Sequence, residues 1–181
     1  MTDNPFFEVW DTLCGLPPFE RIRPEHFPPA FDRAMAEHDA EIAAITASPA
    51  APTFANTIEA LERSGRLLDR VSRVFFNLDA SNTNDALEAI ARDYAPKLAQ
   101  HQTQIALNER LFERISELHA QRETLGLAVD QLRLLERHHL RLVRSGALLG
   151  SEQKSRMAAI AERLAVLHFP KGPLSIIIQV P

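Results

Sequence analysis

Glu136 and His139 stand three residues apart in Glu136-Arg137-His138-His139, a spacing that brings a carboxylate and an imidazole onto one turn of a helix. Di-iron helical bundles use such a pair, but they need a second Glu-x-x-His and two further carboxylates. No other histidine here has Glu three residues before it. A single Glu-x-x-His arises easily by chance, so the reading adopted is structural: His139 packs on an apolar stripe and Glu136 faces an arginine one turn away. A catalytic zinc asks for three protein ligands and one open position, commonly two histidines at i and i+4 with a glutamate general base between them. None of the seven histidines is followed by Glu, so that helix is absent.

The other candidates are weaker as chemistry. Arg133, Arg137, Arg141 and Arg144 fall at steps of four, four and three and predict a basic ridge on one helix. It suits anionic peptides or an acidic partner, or else a solvated face paired with neighbouring carboxylates, and its orientation is not written in the spacing. His26, after Glu25, reads as a capping or packing residue. Cys14 has no His-Asn set to activate it and reads as a buried or half-buried thiol. There is no Gly-x-Ser-x-Gly, phosphate loop or dinucleotide fingerprint. No residue is therefore assigned as catalytic, cofactor-binding or metal-binding.

Composition narrows the classes further. A chain of 181 residues suits one buried core, and 45% hydrophobic with 24% charged residues is ordinary for a soluble protein. A net charge of -4 opposes general nucleic-acid binding, which needs surplus Lys and Arg. One cysteine permits no internal disulfide and no Cys-x-x-Cys site, as suits a reducing compartment. Met1-Thr2-Asp3-Asn4-Pro5 shows no basic stretch leading into an apolar run, and no apolar run approaches the roughly 20 residues that cross a bilayer. The expectation is a cytoplasmic protein with no membrane partner.

The elements that would carry these residues are helical. Pro5, Pro17, Pro18 and Pro24 make residues 1–27 an extended arm, whose Phe6, Phe7, Val9, Trp10, Leu13 and Phe19 predict that it lies across a helical body. From Pro28, Phe31, Met35, His38, Ile42 and Ile45 share a face, up to the stop at 48–52. Asn56, with Glu59 three residues on, predicts the next cap, followed by one stripe through Ile58, Leu61, Leu68, Val71, Phe75 and Leu78 with a kink at Ser64-Gly65. After a turn at Ser81–Asn84, Leu87, Ile90, Tyr94, Leu98, His101 and Ile105 continue in helical register past a kink at Pro96. Asn108 caps a helix with Leu111, Phe112, Ile115 and Leu118. Val129, Leu132, Leu135, His139 and Val143 stripe the next, and Ser151 caps a last helix with Met157, Ile160, Leu164 and Leu167. About six helices with short connections predict an all-α antiparallel bundle over 28–167.

Several blocks carry a resemblance. They are Asn4-Pro5, the stretch Pro18–Phe31, the run Pro52-Thr53-Phe54-Ala55-Asn56-Thr57-Ile58-Glu59-Ala60-Leu61-Glu62-Arg63-Ser64-Gly65, then Arg73–Leu78, Leu107–Ile115 and Val143–Ala147. In order and spacing these resemble the N-terminal region of the thimet-oligopeptidase-like family of zinc metallopeptidases, in its oligopeptidase A and bacterial peptidyl-dipeptidase branch, across roughly residues 4–167. The resemblance implies a much longer helical protein whose two halves face each other across a channel that admits short peptides. The zinc site belongs to the C-terminal half and the region matched here to one channel wall. By that resemblance the chain is catalytically incomplete, has short peptides as partners and zinc as cofactor only in the full-length family, and self-associates through apolar surface left exposed. The alternative is a free-standing helical binding or scaffold protein derived from that domain.

Beyond Leu167 the resemblance stops. Residues 168–181, His168-Phe169-Pro170-Lys171-Gly172-Pro173-Leu174-Ser175-Ile176-Ile177-Ile178-Gln179-Val180-Pro181, read as an out-of-frame or truncated end. The competing expectation is a short paralogue whose Ile176–Val180 forms an edge strand or dimer contact.

Overall fold

The structure, a computed structural model, describes residues 4–168 and is all-α, with no strand among the described residues. Helices α1 (Phe27–Thr46), α2 (Ala60–Arg63), α3 (Arg66–Asn82), α4 (Asp85–Ala106), α5 (Glu109–Ala120), α6 (Val129–Arg144) and α7 (Ser151–His168) follow in order. The divergent tail after His168 lies outside the described residues.

Caps explain most boundaries. Asn84 Oδ1 accepts from the amides of Ala86 and Leu87 and starts α4, and Asn108 Oδ1 accepts from Leu111 to start α5. Each such cap stabilises by about 1 kcal/mol. Two caps differ from expectation. Thr53, not Asn56, is the N-cap: Asn56 accepts from the Thr53 amide at 2.8 Å while Thr53 Oγ1 accepts from the Asn56 amide at 3.1 Å. This box closes a π-helical turn over Phe54–Glu59 that runs into α2. At the last helix, Ser151 is already helical and the amide before it, Gly150, donates to Gln153 Oε1. The turn expected at Ser81–Asn84 is shorter, because α3 runs on through Asn82 with Ser81 Oγ bonded to the Asn77 carbonyl. Pro96 sits inside the continuous helix α4.

The described residues divide into two compact units. One comprises 4–38, 65–98 and 162–168. Its core is aromatic: Phe6, Phe27, Phe31 and Phe75 are all buried, with Phe75 edge-on to Phe27 at 5.0 Å and to Phe31 at 5.3 Å between ring centres. Tyr94 stacks on Phe31 and its hydroxyl donates to Asp32 Oδ1 at 2.9 Å. Burial, then the Asp32 hydrogen bond, holds that phenol well above its usual range. The Pro-rich arm is anchored here through short 3₁₀ turns. Phe6 is fully buried, Asn4 Nδ2 donates to the His26 carbonyl, Trp10 Nε1 donates to the Pro5 carbonyl, and the Arg33 guanidinium covers the exposed Phe7 ring. Val9 and Phe19 of the arm are exposed rather than buried.

The other unit comprises 39–64 and 99–161. Ile42 and Ile45 of α1, Ile58 and Leu61, Leu111, Ile115 and Leu118 of α5, and Leu135 and Leu142 of α6 build its aliphatic core. The stripe from Ile58 to Leu78, expected to bend at Ser64-Gly65 but to serve one face, is divided between two cores: Ile58 and Leu61 serve this one, whereas Val71 and Phe75 serve the aromatic one. The break falls at Gly65, whose φ of 70° no ordinary helix accommodates. Arg114 fastens the segment before the π-turn, donating to the carbonyls of Ser48 and Ala50 and to Asn56 Oδ1.

Candidate functional site

The buried arc of α6 is centred on Leu135, His138 and Leu142, not on the expected Val129, Leu132, Leu135, His139 and Val143. Val129 is 87% exposed. His138 is thus the core histidine. Its Nε2 lies 2.7 Å from Glu62 Oε1, while its buried Nδ1 has no partner. The carboxylate neighbour fixes the proton on Nε2 and leaves the bare lone pair on Nδ1. His139 is half-buried on the neighbouring face, stacked on His119 at 3.9 Å with rings 6° from parallel, and stacked on Phe112 at 5.7 Å.

Glu136 and His139 therefore do not act together. Glu136 Oε1 lies 4.0 Å from Arg122 Nε, an arginine of the preceding loop rather than one a turn away on α6. Among the described residues no group of three His, Cys, Asp or Glu side chains is arranged to hold a metal ion. The set a zinc ion requires is not assembled by these residues. His26 caps locally, its Nδ1 accepting from the Arg23 amide at 3.0 Å. Cys14 is exposed, contrary to the buried thiol expected, at a turn with φ of 57°. Arg133, Arg137, Arg141 and Arg144 are all exposed on α6. A cleft of about 180 Å³ in the aromatic unit is lined by Phe19, Ile22, Arg23, Phe27, Asn82 and Leu87 among others, but holds no titratable group other than Arg23.

Three imidazoles are shielded in the aliphatic unit, His101 and His138 buried and His139 half-buried; the sequence placed His101 and His139 on apolar stripes but not His138. His101 is held below its ordinary range by burial, against the pull of Asp39 at 3.3 Å. His138 is lowered by burial and then by Arg141, which together outweigh Glu62. His139 is lowered by burial, then by His119 and Arg122. A lowered histidine favours its neutral form in the fold, so the unfolded chain binds more protons. Stability from these three groups is complete above the ordinary histidine value of about 6.5 and is lost as pH falls through and below it. The urea midpoint followed by helical circular dichroism is expected to fall between pH 7.5 and pH 5. An unchanged midpoint overturns this.

No family profile matches the chain. Individual relatives do. The chain is 42% identical over 92% of its length to a dipeptidyl carboxypeptidase of Escherichia coli (strain K12) and 40% identical over 92% to the dipeptidyl carboxypeptidase of Salmonella typhimurium. It is 26% identical over 86% of its length to oligopeptidase A of Salmonella typhimurium. It spans about a quarter of the length of these curated relatives, 24% of the first.

Proposed function

We propose, for a chain homologous to the N-terminal region of the thimet-oligopeptidase-like peptidase family, the role of one helical wall of a zinc-dependent oligopeptidase or peptidyl-dipeptidase that hydrolyses short peptides in the cytoplasm. The observation that carries this reading is the pairing of 42% identity across 92% of the chain with coverage of only 24% of the relative. A match that dense over so small a share is what one part of a larger peptidase would give. The arm over 1–27, the helical body over 28–167 and the divergent 168–181 are its proposed divisions.

The chain by itself is catalytically incomplete. With no histidine followed by Glu, it cannot supply the helix that would hold zinc and activate a water. The wall reading is also supported by α7, where Ile160 and Leu164 are exposed on one face, apolar surface that a further segment would cover. No described helix is long and apolar enough to cross a membrane. The test is hydrolysis of short blocked and unblocked peptides by the purified chain with added zinc. Turnover indistinguishable from the buffer blank is expected, and zinc-dependent turnover, abolished by chelator, sinks the reading. The competing role, a free-standing helical scaffold, has no observation in its favour beyond the polar outer faces of α5 and α6.

A further inference from the structure

The cleft of the aromatic unit is apolar inside and polar at its edge. Ile22, Phe27 and Leu87 line it with buried side chains, and Phe19 lines it while remaining 45% exposed. Arg23 and Asn82, both exposed, complete this part of the lining. All of these residues belong to the one unit, so the cleft is whole within it. Its volume of about 180 Å³ falls below the roughly 300–1,000 Å³ of pockets that enclose a drug-sized ligand or a cofactor. It suits one large side chain presented from outside.

Arg23 is held as a carboxylate receptor would be. Its Nη1 donates to the carbonyl of Glu20 at 2.8 Å and to that of Ile22 at 3.1 Å. Its backbone amide donates to His26 Nδ1 at 3.0 Å, which fixes the chain from which the side chain springs. Those bonds occupy Nη1 and leave the Nε and Nη2 protons without an acceptor among the described residues. Glu20 and Glu25 are near in sequence, yet no described carboxylate forms an ion pair with Arg23. The Nε–Nη2 edge is a fork that takes a carboxylate through two parallel hydrogen bonds. Tethering Nη1 removes rotamer freedom that such pairing otherwise costs. Asn82, the last residue of α3, has no side-chain hydrogen bond among the described residues. Its amide offers both donors and an acceptor, the complement of a peptide group.

We propose that this cleft binds the C-terminal residue of a peptide. Its large apolar side chain enters against Phe19 and the buried floor, its free carboxylate lies on the Nε–Nη2 edge of Arg23, and Asn82 meets the peptide group before it. A terminal residue carries side chain and carboxylate on one α-carbon. That suits a cleft whose apolar wall and only cation come from adjoining residues, Ile22 and Arg23. An internal acidic residue would carry the carboxylate on one residue and the apolar group on another. The site is small and half its contacts are solvated, so binding is weak. It needs nothing of a zinc-bearing part, so it goes beyond the wall role and does not depend on it.

Titration of the whole chain with N-acetyl-Ala-Ala-Phe, followed by nitrogen–proton correlation spectra, tests this. Saturable shifts are expected at the Arg23 and Leu87 amides and at the Asn82 side-chain amide. The same peptide with an amidated end, and N-acetyl-Ala-Ala-Ala, are each expected to bind about tenfold more weakly or worse, through loss of a charge-assisted bond or of the buried ring. Arg23→Gln is expected to weaken the free acid by a similar factor and to abolish the preference for acid over amide. Unchanged circular dichroism establishes that this variant is folded, and the acid–amide comparison on the unaltered chain stands without it. No saturable shift at the cleft overturns the proposal, as does equal binding of acid and amide. So does N-acetyl-Ala-Phe-Asp-amide binding as tightly as the free acid, which would assign the cleft to internal acidic residues. Zinc-dependent turnover by the chain would sink the wall reading and leave these shifts unaffected.

Discussion

Replacing Phe75 by alanine is expected to cost the aromatic unit about 3–5 kcal/mol, the range found when a large buried side chain leaves a cavity that its surroundings only partly fill. Phe75 is 1% exposed and touches rings on three sides: Phe27 and Phe31 of α1 and its own neighbour Phe76. The edge-to-face arrangement adds to the area buried, since aromatic pairs are worth about 0.5–1.5 kcal/mol beyond burial alone. None of those rings can close on the void without leaving another gap, because α1 and α3 are long helices that shift only as bodies. The chain has one tryptophan, Trp10, and it lies against Phe6 in the same unit. Its fluorescence therefore reports this core while far-ultraviolet dichroism reports all helices. The Trp10 urea transition is expected to move to markedly lower denaturant in Phe75→Ala, and only slightly in Phe112→Ala, where the ring is half-buried. Equal shifts in the two variants would show that Phe75 is not the keystone described.

The helices, several of their caps and the family were legible in the sequence, because each rests on local spacing. Asn108 reads as a cap for want of any competitor nearby. Thr53 and Asn56 are both cap-forming types, and spacing alone does not tell which one stands outside the helix. The structure uses both, one as cap and one as its reciprocal partner. On α6, Leu132, Leu134, Leu135, Leu140 and Leu142 lie around most of the circumference. Adding His138 and His139 leaves two stripes about 100° apart that fit the periodicity equally, and the choice was made by what Glu62 and the Leu118 face of α5 could receive. The divided stripe across Gly65 was hidden for a similar reason. Periodicity says which residues share a face, not which core that face meets. The histidine pairs His138–Glu62 and His101–Asp39 join residues more than sixty positions apart, so no local pattern could mark them. The arginine ridge on α6 was visible as a spacing, but its exposure was a question only side-chain positions could answer.

Gly65→Ala is the second substitution expected to be severe, at about 2–3 kcal/mol, and its cause is separable into two parts. The backbone there has φ of 70°, where an L side chain costs roughly 1–2 kcal/mol and glycine nothing. A methyl group would also stand 3.0 Å from His38 Cε1 and 3.1 Å from both ring nitrogens, over the face of the imidazole. The ring belongs to half-buried His38 of α1. If both parts operate, Gly65→Asn should cost less than Gly65→Ala in backbone terms, because asparagine tolerates the left-handed region, though it still meets the ring. Making the same changes in a His38→Ala background removes the collision and leaves only the dihedral cost. The difference between the two alanine substitutions in that cycle is the coupling between position 65 and the ring. A coupling near zero would mean the imidazole yields freely and that glycine is required for its backbone alone. A coupling that accounts for the entire loss would mean the left-handed turn is unstrained. Either result fixes why the chain spends one of its six glycines between the end of α2 and the start of α3.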